Sequence, residues 1–264
     1  MDGVMTPGTA AAALIEHFVF EQARDARARR AAFRVRYHVY CQEHGYEQEA
    51  DCPGGFESDA FDAAASHCVV RHRLSGTPVA CVRMVRPGAP GGALAAMPFE
   101  RTYAAHLTHP ELRPDRLPRE QVCEISRIAV HAAFRRRSGE VLAHPGLPAD
   151  FAPSPAEASA YPLLPISLFL AATALVGEAG RPHVFAMMQP RLARLLKRSG
   201  LDFTQIGGTV DFRGERAGFY IDQRIAERSL RGELPALYRH IQASLGAPES
   251  QPKADESAPG SHAA

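Results

Sequence analysis

Gln121 to Glu140 reads QVCEISRIAVHAAFRRRSGE, a short apolar strand that runs straight into a cluster of arginines followed by Ser138-Gly139. Ile125, Ile128, Ala129 and Val130 are the residues of an interior strand, so Glu124 and Arg127 among them are costly unless paired or used. Two readings are open at this point, a structural ion pair and a functional site. Regular pleating sends residues three apart to opposite faces. Bringing Glu124 and Arg127 to one cleft therefore requires a bulge between them, a device that recurs beside active sites. Beyond the strand, Arg135-Arg136-Arg137-Ser138-Gly139 can wrap backbone N–H groups and positive charge around a phosphate. A solvated basic turn has the same composition.

The whole chain bounds what this stretch can belong to. Its 264 residues, 45% hydrophobic and 22% charged, are enough for a substantial core in one domain with appendages or in two small ones. A net charge of +1 gives no field directed at nucleic acid. Five cysteines (Cys41, Cys52, Cys68, Cys81 and Cys123), odd in number and without C-x-x-C spacing, fit free thiols in a reducing cytoplasm. The histidines have no acid or cysteine at ligand spacing, so no metal site is expected. Met1 to Ala13 lacks a basic leader region, and no signal peptide is indicated. Leu163 to Val176 is apolar but too short to span a bilayer, which predicts a buried helix and no transmembrane segment.

Upstream, Met1 to Thr9 reads as a flexible leader and His17 to Ala23 as a first strand. Asp25 is placed to cap a helix running to about Glu43, with Arg36 and Tyr40 at helical spacing. The connection from Glu47 to Ala65 holds Glu57, Asp59 and Asp62 among Phe56 and Phe61, and such carboxylates are available to hold Arg36 or Arg127. A hairpin follows (His67 to Leu74, Val79 to Arg86) with Arg83 inside its second strand, then a short helix from Phe99 to Leu107. Downstream, residues 141–162 carry several prolines and no periodicity, the pattern of a long loop or lid. Then come a helix (Ile166 to Ala179), a strand (His183 to Gln189), a basic helix opened by Pro190 and closed by Gly200, a second hairpin and a last helix from about Glu233 to Leu245. Residues 246–264 read as a disordered tail. The order predicts an α/β fold in one domain, residues 10–245, with a mixed central sheet flanked by helices.

With those residues in view, the chain resembles the GNAT superfamily of acyltransferases over most of Phe18 to Asp222. Its first half is similar to acyl-homoserine lactone autoinducer synthases and N-acyl amino acid synthases. FRVRYHVYCQEHGYE, EISRIAV and ISLFLAATAL resemble the acyltransferase family associated with PEP-CTERM/exosortase systems. The resemblance implies catalytic roles for Glu124, Ser126 and Arg127. It implies substrate binding by Arg36, Tyr40, Tyr46 (where those synthases have tryptophan), Asp59, Asp62, Arg83 and Phe99. Donor binding falls on Arg135, Arg136, Arg137, Ser138 and Gly139, with valine at position 141 departing from the GNAT pyrophosphate signature.

The resemblance implies a cytoplasmic enzyme with no permanently bound cofactor. It would move a long acyl chain from an acyl-phosphopantetheine thioester, on acyl carrier protein or CoA, to the primary amine of an amino acid or similar small molecule. Two alternatives accompany it: an acyl-homoserine lactone synthase using S-adenosylmethionine, and a non-catalytic acyl-carrier or lipid-binding adaptor linked to exosortase export. The absence of tryptophan from the chain weighs against S-adenosylmethionine as the amine donor.

Overall fold

The computed structural model describes residues 9–135 and 153–247. Thr9 Oγ1 accepts the Ala12 N–H and starts a first helix, α1 (Ala10–His17), so the last residue of the expected leader is a helix cap. The first strand then begins at Phe18, as β1 (Phe18–Gln22). Asp25 Oδ1 takes the Ala28 N–H at 2.7 Å and opens α2 (Ala26–Arg36), as its position predicts. Tyr37–Glu43 continue that helix with π geometry, which turns Tyr40 and Cys41 away from the directions an α-helix would give them.

The expected hairpin forms from β2 (Ser66–His72) and β3 (Pro78–Val85), followed by α3 (Pro98–Tyr103) and the central strand β4 (Val122–Val130). After the next described segment, α4 (Pro155–Ala160) and α5 (Leu164–Glu178) lead into β5 (His183–Met188) and α6 (Pro190–Arg198). The second hairpin, β6 (Thr204–Asp211) and β7 (Glu215–Asp222), is followed by α7 (Gln223–Ser229), which the periodicity did not announce, and α8 (Leu234–Gly246). The seven strands form one sheet in the order β1-β2-β3-β4-β5-β7-β6. Among the described strands only β4 and β5 run parallel, so the sheet is mixed, with helices on its faces.

Two expectations need correction. The stretch expected as a structureless loop over 141–162 is helical from Pro155. Ser154 Oγ accepts the Glu157 N–H at 3.1 Å and Pro155 fills the first helical position. Residues 141–152 of that expected lid, and residues 248–264 of the expected tail, lie outside the described residues. The apolar helix is also longer than Leu163 to Val176 suggested: the helical run Pro155–Glu178 has 24 residues and is apolar enough to cross a membrane by composition alone. Most of it, 67% of its apolar window, is instead packed inside the fold.

That packing explains why α5 is apolar on every side. Leu164, Leu168 and Leu175 meet Val82 and Met84 of β3 and Cys123 and Ile125 of β4, while α8 covers the helix with Leu237 and Ile241. The opposite face of the same strands lies beneath α2 and carries the charged residues.

Candidate active site

The central strand changes faces part-way. Arg83 of β3 pairs with Ser126, yet Cys81, two residues earlier, pairs with Ala129, so β4 contains one residue more than its partner between these points. The extra residue is Arg127, with φ of 52° in the left-handed region, a conformation that costs a non-glycine residue about 1–3 kcal/mol. Before the bulge, Val122 packs with Phe99 on the α3 side of the sheet; after it, Ala129 packs with Val35 and Val39 of the α2 helix. Cys123, Ile125 and Val130 all belong to the α5 side. The even-numbered residues before position 127 and the odd-numbered one after it thus share a face, and Arg127 joins Glu124 and Ser126 there.

Three arginines and four acids are interlocked over this face. Arg36, fully buried, is held by Glu57 through Nε and by Asp62 through two parallel bonds of 2.7 and 3.0 Å. Arg83 Nη1 donates to Asp59 Oδ1 at 2.7 Å and to Asp62 Oδ1 at 2.8 Å, and its Nε donates to Ser126 Oγ at 3.3 Å. Arg127 donates to Glu57 Oε1 at 3.1 Å and reaches Glu47 and Asp59, each at 3.4 Å. Burial alone would raise the Asp62 pKa. The Arg36 hydrogen bond and the charges of Arg36 and Arg83 outweigh it and hold Asp62 well below the carboxylate range. Glu57 is lowered by the same contest, with Arg36 and Arg127 as its cations. His67, beside Arg83 in the sheet, has Nε2 3.6 Å from Asp62, but burial lowers its pKa to about 4 and it is neutral at pH 7.

Glu124 is the acid without such a clamp. Its Oε2 accepts the Phe99 N–H at 2.6 Å, and burial raises its pKa to about 6 against the opposing pull of that bond, of Arg83 and of Ser126. It also marks the point where the sheet opens. β4 and β5 pair only from Val122 to Glu124 and from His183 to Phe185. Beyond them β4 stays with β3 and β5 with β7, leaving a wedge whose two inner strand edges no longer bond each other.

The remaining expected residues fall into three groups. Tyr40 donates its hydroxyl to the Ile128 carbonyl at 2.8 Å and lies beneath the Arg127 guanidinium, while Tyr46 stacks on Tyr40 and His44. Arg135 pairs with Glu43 near the surface. Arg136, Arg137, Ser138 and Gly139 lie outside the described residues. Two spaces flank the sheet, and the first of them adjoins the network. An open pocket of about 330 Å³ is lined by Arg29, Arg30, Phe33, Ser58, Asp59 and Asp62. On the α5 side, a narrow apolar cavity of about 20 Å³ lies among Ile125, Phe169, Val184, Ala186 and Phe203. Among the described residues no group of three His, Cys, Asp or Glu side chains is placed to hold a metal ion.

Residues 35–144 match the family model described as the acetyltransferase (GNAT) domain. Solved structures align over nearly their whole length. The CoA-dependent acyl-homoserine lactone synthase BjaI, solved with MTA, has TM-score 0.54 and 16% identity, covering 90% of this chain and 96% of that one. The chain has the GNAT fold. The AHL synthase LasI shares the same fold (TM-score 0.53, 14% identity, 80% and 94% coverage). So does FeeM, an N-acyl amino acid synthase from uncultured soil microbes (TM-score 0.50, 16% identity, 81% and 94% coverage). No curated protein matches the chain by sequence. With the domain match, this GNAT fold carries an enzyme domain of the acyltransferase kind.

Within the GNAT fold, four participants in the network escaped the sequence reading as site residues: Glu47, Glu57, His67 and Arg213. Glu57 stood in the acidic connection and was available as a partner for Arg36. Nothing in the sequence of the second hairpin pointed to Arg213, at its tip, which donates to Glu47 at 2.6 Å and lies over Tyr46.

Proposed function

We propose that the protein is an N-acyltransferase that moves an acyl group from a phosphopantetheine thioester to the primary amine of an amino acid or similar small molecule. The observation that carries this reading is Glu124, a buried carboxyl with a pKa of about 6, standing where β4 and β5 part and beside the bulge at Arg127. A thioester needs little activation, so catalysis is mostly positioning plus oxyanion stabilisation. The thioester lies in the wedge, its carbonyl received by backbone N–H groups near the bulge. The amine nitrogen attacks the carbonyl carbon while its proton passes to Glu124, directly or through water. The carbon–sulfur bond then breaks, and the departing thiolate takes a proton.

The acceptor occupies the pocket beside Asp59 and Asp62, whose negative charge suits an ammonium group. Arg83 Nη2, buried and without a hydrogen-bond partner among the described residues, suits an oxygen of the same molecule. Arg36 and Arg127 keep the acids ionised and in place, and the family resemblance implies further substrate contacts by Tyr40, Tyr46 and Phe99 and a catalytic role for Ser126. The acyl tail runs toward the apolar cavity under α5, which must widen to take it. Both donor forms have support. BjaI is described as CoA-dependent, while Arg191, Arg194, Lys197 and Arg198 of α6, with the arginines at 135–137, suit an acidic carrier protein. We place the reaction in the cytoplasm, and the link to exosortase systems rests on the motif resemblance alone.

The likeness to LasI and BjaI favours a second reading, an acyl-homoserine lactone synthase, against which stands tyrosine at position 46. Lipid extracts of a host expressing the protein, beside a Glu124→Gln control, separate the two by mass spectrometry. A new N-acylated amine made only by the intact protein supports the proposal. An acyl lactone would replace it with the second reading. Loss of phenotype on replacing Arg135 to Arg137 but not Glu124, with no new product, would favour a non-catalytic carrier-binding role.

A further inference from the structure

Cys41 and Cys52 stand with their Sγ atoms 3.3 Å apart, both thiols buried. Cys68, Cys81 and Cys123 point instead at backbone carbonyls. Cys41 lies in the π-helical turn after α2, and Cys52 follows a short helical turn at Glu49–Asp51. Tyr46 and Glu47 sit between the two cysteines; Glu57 comes just after the second. The segment turns at Gly45, Gly54 and Gly55, all in the left-handed region with φ of 60°, 69° and 72°. A disulfide needs a sulfur–sulfur distance of about 2.05 Å, so closing the pair takes a movement of about an ångström. Side-chain rotation in a glycine-jointed loop supplies that.

We propose that Cys41 and Cys52 are a reversible modification site, an intramolecular disulfide that fastens the loop carrying Tyr46 and Glu47 over Arg127. The oxidant is a small-molecule disulfide of the glutathione class. One thiolate attacks it, releasing one molecule of thiol and leaving a mixed disulfide. The second cysteine displaces the remaining half, so that two thiols and one disulfide become one disulfide and two thiols, with both protons leaving on the released thiols. Burial lifts the Cys41 thiol to about 12, so it stays protonated and unreactive at neutral pH until the loop opens. The closed form holds Glu47 against both Arg127 and Arg213, the contacts that tie the loop to the central strand and to the β6–β7 hairpin.

The test uses the full-length protein equilibrated over a series of reduced-to-oxidised glutathione ratios, quenched in acid and alkylated. Thiols are counted by intact mass, and the link is located by peptide mapping without reductant. Two of the five thiols are expected to become unavailable together, in a peptide joining Cys41 to Cys52, and to return with excess reductant. Protease cleavage in residues 44–51 should slow in the oxidised wild type and stay unchanged in Cys52→Ser or Cys52→Ala. Alkylation of all five thiols at every ratio would overturn the proposal, as would a link through another cysteine, a link between chains, or a glutathione adduct that never resolves. None of these readouts depends on acyl transfer, so the proposal stands or falls apart from the catalytic reading.

Discussion

On one side of the sheet, α5 lays Leu164 and Leu168 against Val82, Met84 and Ile125. On the other, α2 lays Arg36 over a row formed by His67, Arg83 and Ser126, adjacent to one another across three strands. Both sides are buried, but they are specified differently. Apolar packing is non-directional and tolerates exchange of similar volumes, whereas a buried guanidinium is tolerable only with each partner present and correctly aimed. The apolar side therefore supplies much of the stability, and the charged side demands one geometry. Removing single groups from each side tests that division.

The largest effect is expected from Arg36→Met. It takes both Arg36 bonds from Asp62, which keeps only Arg83 as a cation, and leaves Glu57 with Arg127 alone, so stability should fall by about 3–5 kcal/mol in urea unfolding. Leu168→Ala on the other side should cost about 2–5 kcal/mol through transfer and cavity terms. Unlike the first variant, it should leave the transfer rate per folded molecule unchanged. Should both variants lose rate in proportion to stability, the two sides are not distinct in the way described.

Glu124→Gln separates chemistry from folding. Acyl transfer should drop by about 10²-fold or more, the usual contribution of a positioned general base. The unfolding midpoint at pH 8 should hold or rise, because the wild-type carboxylate is ionised there in a site that disfavours its charge. A fall in stability at pH 8 would mean that the carboxylate is structurally required.

The pH dependence gives smaller, opposed signatures. As a base with a pKa of about 6, Glu124 should give kcat/KM that falls below about pH 6. For stability the signs differ by group. The raised pKa of Glu124 favours the folded state below its ordinary value of 4.5, and that contribution is lost as pH rises through about 6. His67, lowered from 6.5 to about 4, contributes above 6.5 and loses this as pH falls through about 4; Asp62 and Glu57, both lowered, contribute above their ordinary values of 3.8 and 4.5 and lose this as pH falls below those values toward their lowered ones. Denaturant midpoints from pH 8 down to 3 should therefore decline on acidification in wild type, and His67→Gln should remove the upper part of the decline. The smallest effect belongs to Leu74, 90% exposed, where serine should change stability by less than about 0.5 kcal/mol.

What the sequence disclosed follows the same division. Strands and helices that read as continuous apolar runs between turn signals, such as the β2–β3 hairpin and α5, were legible because each is buried almost throughout. Glu124, Arg127 and Arg83 stood out because charge in an apolar run is conspicuous. The partners of those charges were less legible. Glu47 and Arg213 are ordinary loop residues whose roles depend on how distant loops meet, which no local pattern encodes. The helix at Pro155 was hidden by its own prolines and alanines, although Ser154, Pro155 and Glu157 carried the start signal. α7 was hidden by being short and following a strand directly.

The extra residue at Arg127 leaves β4 written in two phases, one up to Ser126 and another from Ile128 onward. A fixed alternation laid over the strand averages the two and reports neither. Engineering faces the same constraint. A graft that replaces Val122–Val130 with a regular strand must be one residue shorter, and a graft of equal length pushes either Glu124 or Ala129 through to the wrong side. Point substitutions can change what each phase carries, but only an insertion or a deletion can change where one phase hands over to the other.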